Sequence, residues 1–113
     1  MGSIEEHQKI LVEILIEFGT RSDMKIWANN TGTAYRRGRM LKFGLVGSGD
    51  ILGIIEGGTF LSIEVKSGKA RQSKQQKIFQ KMVTSLGGLY IVARSTQDVK
   101  KALDVWSRAN QKT

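Results

Sequence analysis

Three segments of the chain repeat apolar residues at the spacing of an amphipathic helix. In the first, apolar side chains follow Leu11 at offsets of three, four and seven residues, which places them on one helix face suited to packing against a core. Gly19 predicts the end of this helix, because glycine readily forms a C-terminal cap. The three stripes are Leu11, Ile14, Leu15 and Phe18; Phe79, Met82, Val83 and Leu86; and Val99, Ala102, Leu103 and Trp106.

The second and third stripes are also preceded by start signals. Gln76 follows Ser73 by three residues, and Asp98 follows Ser95 at the same spacing. In such a capping box the serine hydroxyl accepts a hydrogen bond from the first turn, and the longer side chain reaches back to the main chain. Both helices are therefore predicted to begin just after these serines.

Short apolar runs between the helices predict β-strands. Turn-forming residues at 29–32 and 56–59 separate some of these runs, and the second of them predicts a hairpin. We expect the run at 51–55 to be buried on both faces and the run at 89–93 to be a central strand, because neither alternates with polar residues. The order helix, strands, helix, strand, helix predicts an α/β fold. The runs are 25–28, 40–45, 51–55, 60–66 and 89–93.

The composition limits the class of protein. At 113 residues the chain suits one domain, 1–113, and is too short for two. It has no cysteine and a single histidine, which excludes disulfides and thiolate catalysis and argues against a multi-histidine metal site. No apolar run approaches the roughly 18 residues of a membrane helix, and the acidic start lacks the layout of a signal peptide. We therefore expect a reduced, intracellular protein without a membrane partner.

The net charge of +8 predicts attraction to nucleic acid, with binding that weakens as the salt concentration rises. The alternative is that the charge serves solubility alone. Tyr35, beside one cluster of cations, is suited to stacking on an unpaired base, and packing in the core is an equal alternative. The cations expected to contact phosphates are Arg36, Arg37, Arg39, Lys69, Arg71 and Lys74.

Two acids and a lysine form the most informative constellation. Because side chains alternate along a strand, Glu64 and Lys66 share one face of the run at 60–66. Asp50 and Glu64 are each about seven residues from the hairpin turn near Gly57. The hairpin therefore brings Asp50 opposite the far end of the returning strand, near Glu64.

This constellation suits a divalent metal. Two carboxylates form a hard-oxygen site for Mg²⁺ or Mn²⁺, and Lys66 is placed to orient a water molecule or to offset charge on a phosphate. The alternative is an ion pair between Glu64 and Lys66 on a solvated strand, which contributes little stability. Asp50 at the matching hairpin position favours the metal site.

The chain resembles the virus-type replication-repair nuclease (VRR-NUC) domain of the PD-(D/E)XK nuclease superfamily. The residues that carry the resemblance are the run 49–53, Glu64-Val65-Lys66, and Ser73 with Gln76. The resemblance implies a restriction-endonuclease-like core of the order α-βββ-α-β-α, in which helices flank a mixed central sheet. It also implies structure-selective cleavage of branched DNA, such as four-way junctions or flaps, by a homodimer of the phage-encoded, stand-alone type.

The same resemblance implies roles for particular residues. Asp50, Glu64 and the carbonyl of Val65 would hold Mg²⁺ or Mn²⁺, and Lys66 would be catalytic. Gln76 would join the catalytic set, although its place in a capping box is explanation enough. A first-helix glutamate would be a further metal ligand, Glu5 or alternatively Glu6; acids in a first turn also complement the helix dipole.

Three functional hypotheses follow. The first is a metal-dependent DNA endonuclease without a small-molecule cofactor, dimeric because two cuts in a symmetric junction need two active sites. The second is a basic nucleic-acid-binding module without catalysis. The third is an assembly protein that binds nucleic acid non-specifically. Metal binding discriminates the first hypothesis from the other two.

Overall fold

A computed structural model describes residues 4–45 and 47–110. Within them, helices and strands follow one another in the order α, five β, α, β, α. The elements are α1 Ile4–Gly19, β1 Met24–Ala28, β2 Gly32–Arg36, β3 Arg39–Phe43, β4 Ile51–Ile55, β5 Thr59–Val65, α2 Lys74–Ser85, β6 Leu89–Ala93 and α3 Thr96–Ala109.

Four strands form a mixed sheet in the order β1-β4-β5-β6. β1 pairs antiparallel with β4, β4 pairs antiparallel with β5, and β5 pairs parallel with β6. The strands of this sheet follow the predicted order α-βββ-α-β-α, so the α/β prediction is confirmed. The predicted hairpin is also present, with its turn closed by a hydrogen bond from the N–H of Gly58 to the carbonyl of Ile55.

An additional hairpin interrupts this order. β2 and β3 pair only with each other in a separate two-stranded sheet, which we call the arm (residues 32–43). The run predicted at 40–45 corresponds to β3, but the sequence pattern missed β2. Its first residue, Gly32, belongs to a run of turn formers, and the strand is stabilised by pairing with β3 rather than by its own burial, since all its residues are exposed.

The helices pack on opposite faces of the main sheet. α1 and α3 cover the face that carries Leu61, Ile63 and Ile91 in the larger core. α2 covers part of the other face, where Phe79 and Val83 enclose Tyr90. Consequently the side chains that alternate with the larger core on β5 lie on the same face of the sheet as α2.

Two expectations about individual strands are wrong. β6 lies at the edge of the sheet rather than at its centre; its run is apolar because α2 and α3 pack on its two faces. β4 is not buried on both faces, since Ile54 is 49% exposed. α2 packs on β6 but does not extend over β4, so this face of β4 stays partly exposed.

The predicted starts of α2 and α3 are confirmed. Ser73 and Gln76 make both bonds of a capping box before α2. Ser95 caps α3 by accepting from the N–H of Asp98, whose carboxylate reaches back one residue further, to the N–H of Arg94. Among the described residues, no helix combines the length and apolarity needed to cross a membrane.

Candidate active site

Asp50 is fixed at the start of β4 by contacts on both sides. Pairing of β4 with β5 extends to Ile51 opposite Ile63, so β5 continues beyond the end of its partner. The Asp50 carboxylate substitutes for the missing strand, because its Oδ2 accepts from the main-chain N–H of Val65 at 2.7 Å. The Asp50 carbonyl accepts from the N–H of Asn29 at 2.8 Å. Asp50 thus lies beside the end of β5, as the residue count from the turn predicts.

The main chain around Asp50 is closely packed. A Cβ atom on Gly49 would clash with the Ser62 hydroxyl and would lie only 2.7 Å from the Ile63 carbonyl, so the approach requires glycine. In an antiparallel ladder the N–H and C=O of one residue face the same neighbour. The Val65 carbonyl therefore faces the side occupied by Asp50 and offers a further oxygen donor there.

Glu64 is completely buried, with 0% of its surface exposed. Its Oε1 accepts hydrogen bonds from the Tyr90 hydroxyl at 2.5 Å and from the Gln72 Nε2 at 3.1 Å. Its Oε2 is also buried and has no hydrogen-bond partner. The two oxygens of this carboxylate therefore lie in unequal surroundings.

Lys66 pairs with the second oxygen of Glu64. The Lys66 Nζ lies 3.4 Å from Glu64 Oε2, and the lysine side chain is only 14% exposed. The separation is an ion-pair distance without hydrogen-bond geometry. The alternative of an ion pair on a solvated strand is therefore wrong. A carboxylate is held in such a place only when it is paired and hydrogen-bonded, because its burial is costly.

α1 presents His7 to this site. The His7 Nε2 lies 3.5 Å from Asp50 Oδ2, whereas Glu5 and Glu6 are exposed. At about 100° per residue, Glu5 lies on nearly the opposite side of the helix from His7. A signal was present in the sequence, because His7 precedes Leu11 by four residues and so continues the buried stripe of α1.

Three further polar residues in the site carried no clear signal in the sequence. Gln72 Nε2 bridges Glu64 Oε1 and Gln80 Oε1, the second contact being 2.8 Å long. Tyr90 arrives from β6, on the strand next to Glu64. A loop residue and an apolar strand do not reveal such contacts until the elements pack together.

The glutamine predicted to be catalytic has a structural task. Gln76 Oε1 accepts from the N–H of Ser73 at 2.7 Å and thereby completes the capping box. Gln76 is also one turn from Gln80, so the two side chains share the face of α2 whose polar network reaches Glu64. A catalytic role for Gln76 stays a prediction.

The predicted phosphate-binding cations are exposed and form two groups. On the arm, Arg36 lies directly opposite Arg39, and Arg37 and Gly38 form the turn, with φ angles of 53° and 76°. The second group lies on the loop 66–73 and at the start of α2. Arg94 holds this loop by donating to the carbonyls of Gly68 and Ala70. The exposed cations are Arg36, Arg37, Arg39, Lys69, Arg71 and Lys74.

The donor set fits a divalent cation. Within residues 4–45 and 47–110, no three His, Asp or Glu side chains are grouped to hold a metal by themselves. The fit depends instead on the two carboxylates of Asp50 and Glu64 and the Val65 carbonyl. The buried Oε2 of Glu64 has the Lys66 ammonium at ion-pair distance but no hydrogen-bond partner; this favours a metal, because buried polar atoms are normally hydrogen-bonded.

Burial and the bond to Glu64 raise the pKa of Tyr90 above its ordinary value. Because the folded-state pKa lies above the unfolded value of about 10, the stabilisation is complete below pH 10 and is lost as the pH rises further. We predict that Tyr35→Phe, in which Tyr90 is the remaining tyrosine, forms tyrosinate only as the protein unfolds. Ultraviolet absorbance and circular dichroism in metal-free buffer test this; tyrosinate appearing in the folded protein near pH 10 would contradict it.

No protein-family model matches this chain, and no curated protein matches it in sequence. The chain is therefore characterised by its own geometry. It has a mixed α/β fold in which Asp50, Glu64 and Lys66 meet where β4 ends against β5.

Proposed function

We propose that this protein is a metal-dependent, structure-selective DNA endonuclease of the PD-(D/E)XK type, similar to VRR-NUC domains. The observation that carries the proposal is the buried Glu64 carboxylate. It has one oxygen without a hydrogen-bond partner, lies beside the Lys66 ammonium, and is next to the residue whose N–H binds Asp50. Within a protein of net charge +8, such a carboxylate site is suited to a cation that meets a phosphodiester.

The arrangement of elements supports this assignment. A helix precedes a three-stranded antiparallel unit, and a second helix crosses over to a parallel fourth strand in the main sheet. The acids lie at the end of the central hairpin, and the loop that leads to α2 supplies Gln72 as a donor to Glu64. This is the order implied by the resemblance to restriction-endonuclease-like cores, with the arm inserted between β1 and β4.

The chemistry of phosphodiester hydrolysis follows from the donors present. When bound by Asp50, Glu64 and the Val65 carbonyl, Mg²⁺ or Mn²⁺ would polarise a phosphoryl oxygen and lower the pKa of a water molecule. Lys66 offsets negative charge that develops on the phosphate. Gln76, which shares a face of α2 with Gln80, would use its amide to orient the attacking water or the DNA.

The arm supports DNA as the partner. Like charges directly opposite each other in a strand pair are destabilising, and Arg36 faces Arg39. A phosphate between the two guanidinium groups removes this repulsion and adds charge-assisted hydrogen bonds. A two-stranded hairpin is also only marginally stable by itself. The arm is therefore best explained as a surface that binds a polyanion.

Selectivity for branched DNA and homodimer formation belong to the same proposal. Two exposed groups of cations, on the arm and on the loop 66–73, suit a substrate with more than one helical arm. A homodimer would supply one active site for each of two strands. Sedimentation at working concentrations tests the dimer, and a monomer in the presence of junction DNA would count against it.

Cleavage of a panel of nicked, flapped and four-way DNA with Mg²⁺ and Mn²⁺ tests the function. We predict cleavage of at least one branched substrate by the wild type, and a loss of at least about 10³-fold in Asp50→Asn, because a metal ligand and its charge are removed. Asp23→Asn is the matched control, since Asp23 pairs with Arg21 outside the site. Equal activity in wild type and Asp50→Asn would refute the proposal. DNA binding without cleavage would favour the non-catalytic module.

A further inference from the structure

We propose that Tyr90 and Gln72 are positioning residues that orient the Glu64 carboxylate, so that Oε1 is occupied by protein donors and Oε2 is the oxygen presented to the metal. The inference rests on the proposed function, because it assigns how one metal ligand of that site is held. It concerns residues other than Asp50, Glu64 and Lys66.

The asymmetry of Glu64 carries the inference. Oε1 accepts two hydrogen bonds, a short one from the Tyr90 hydroxyl and a longer one from Gln72. Oε2 accepts none, although it is equally buried, and it lies on the side of Lys66. A carboxylate with two donors on one oxygen cannot rotate freely about its last side-chain bond. The atom available to a cation is therefore Oε2.

Each donor is in turn held by the fold. The Tyr90 ring packs at a tilted angle against Phe79 of α2, with centroids 6.1 Å apart, and the residue is 8% exposed. The Gln72 amide donates to both Glu64 and Gln80. Because the side-chain carbonyl of Gln80 accepts from the same nitrogen, the Gln72 amide is oriented with its NH₂ group toward the Glu64 carboxylate. Contacts from α2 therefore hold both donors in place.

This arrangement has a measurable consequence for metal binding. Partners that orient a ligating carboxylate typically change metal affinity by about 10- to 100-fold when they are removed. Without the Tyr90 hydroxyl, Oε1 would compete with Oε2 for Lys66. The carboxylate would then have to be ordered as the metal binds, and the entropy lost in that step would weaken metal binding. The decrease is expected in metal affinity itself, before any DNA is present.

Titration calorimetry with MnCl₂ on the full chain tests the inference. Tyr90→Phe keeps the ring and its packing against Phe79, and it should weaken Mn²⁺ binding by about 10- to 100-fold. Tyr35→Phe is the matched control, because this tyrosine is 74% exposed on the arm and should bind Mn²⁺ like the wild type. A change of less than about twofold in folded Tyr90→Phe would overturn the proposal.

A double-mutant cycle separates positioning from a general structural effect. In a Glu64→Gln background, Tyr90→Phe should cause no further decrease in Mn²⁺ affinity, because the group through which Tyr90 acts is already changed. Equal decreases in both backgrounds would overturn the proposal. Should Tyr90→Phe fail to fold, Gln72→Met supplies the same cycle at a partly exposed position, with the same expected and contradicting results.

The cycle also distinguishes this inference from the proposed function. A wild-type protein that binds no Mn²⁺ would overturn both. Wild-type binding that disappears in Asp50→Asn but is unchanged in Tyr90→Phe and Gln72→Met would overturn the positioning role alone and leave the metal site intact.

Discussion

Replacing Lys66 with methionine should lower the rate of DNA cleavage by roughly 10²- to 10³-fold, the effect typical when one preorganised donor to a developing negative charge is removed. Methionine preserves most of the aliphatic length of the side chain and removes only the ammonium. The Lys66 side chain is 14% exposed and its Nζ lies 3.4 Å from Glu64 Oε2. Because the ammonium is so little exposed, bulk water is poorly placed to substitute for its charge.

The same variant should retain Mn²⁺ binding. Removal of a cation from beside a metal ligand relieves repulsion toward an incoming cation, so Mn²⁺ affinity should be equal to or higher than that of the wild type. Lys100→Met is the control, because Lys100 is exposed on α3, lies outside the predicted phosphate-binding cations, and makes the same change in net charge. Single-turnover cleavage and calorimetry measure the two effects. Cleavage by Lys66→Met at the wild-type rate would remove Lys66 from the mechanism.

Replacing the three arginines of the arm with alanine should weaken binding to branched DNA and make it less sensitive to salt. For each phosphate that the protein no longer neutralises, the slope of log affinity against log salt concentration falls by about 0.9, so a decrease of about 2 to 3 is expected. The variant is Arg36→Ala/Arg37→Ala/Arg39→Ala. Binding is measured with a cleavage-inactive Asp50→Asn background over a range of salt concentrations.

A control with the same change in charge is available on the opposite face of the sheet. Lys100, Lys101 and Arg108 are exposed on α3, which packs against the side of β6 that carries Ile91. Their replacement by alanine also lowers the net charge by three but leaves the arm and the Glu64 face intact. Equal changes in salt slope for the two triple variants would show that the arm is not a specific DNA-binding surface.

The position of Asp50 could be predicted because a hairpin is a local structure. Its register depends on the turn at residues 56–58, and counting outward places Asp50 opposite the end of β5. The observed pairing of Ile51 with Ile63 follows the same count. The helix starts at Ser73 and Ser95 were predictable for a similar reason, since a cap involves only neighbouring residues.

The surroundings of Glu64 could not be predicted in this way. Alternation along β5 places its side chain on one face, but whether that face is solvated depends on α2, which follows in the sequence. The donors Gln72 and Tyr90 come from a loop and from the next strand of the sheet. His7 had a periodic signal, yet its contact with Asp50 requires α1 to pack against the main sheet, where it contacts β1 and β5.

The sequence by itself determined the helices, the central hairpin, the excess of positive charge and the proximity of two acids and a lysine, because these depend on neighbours along the chain. Only the tertiary structure decided that Glu64 is buried, that one of its oxygens accepts hydrogen bonds while the other accepts none, and that the arm is separate from the main sheet. The physical reason is that burial and hydrogen-bond satisfaction depend on packing between elements that are distant in sequence.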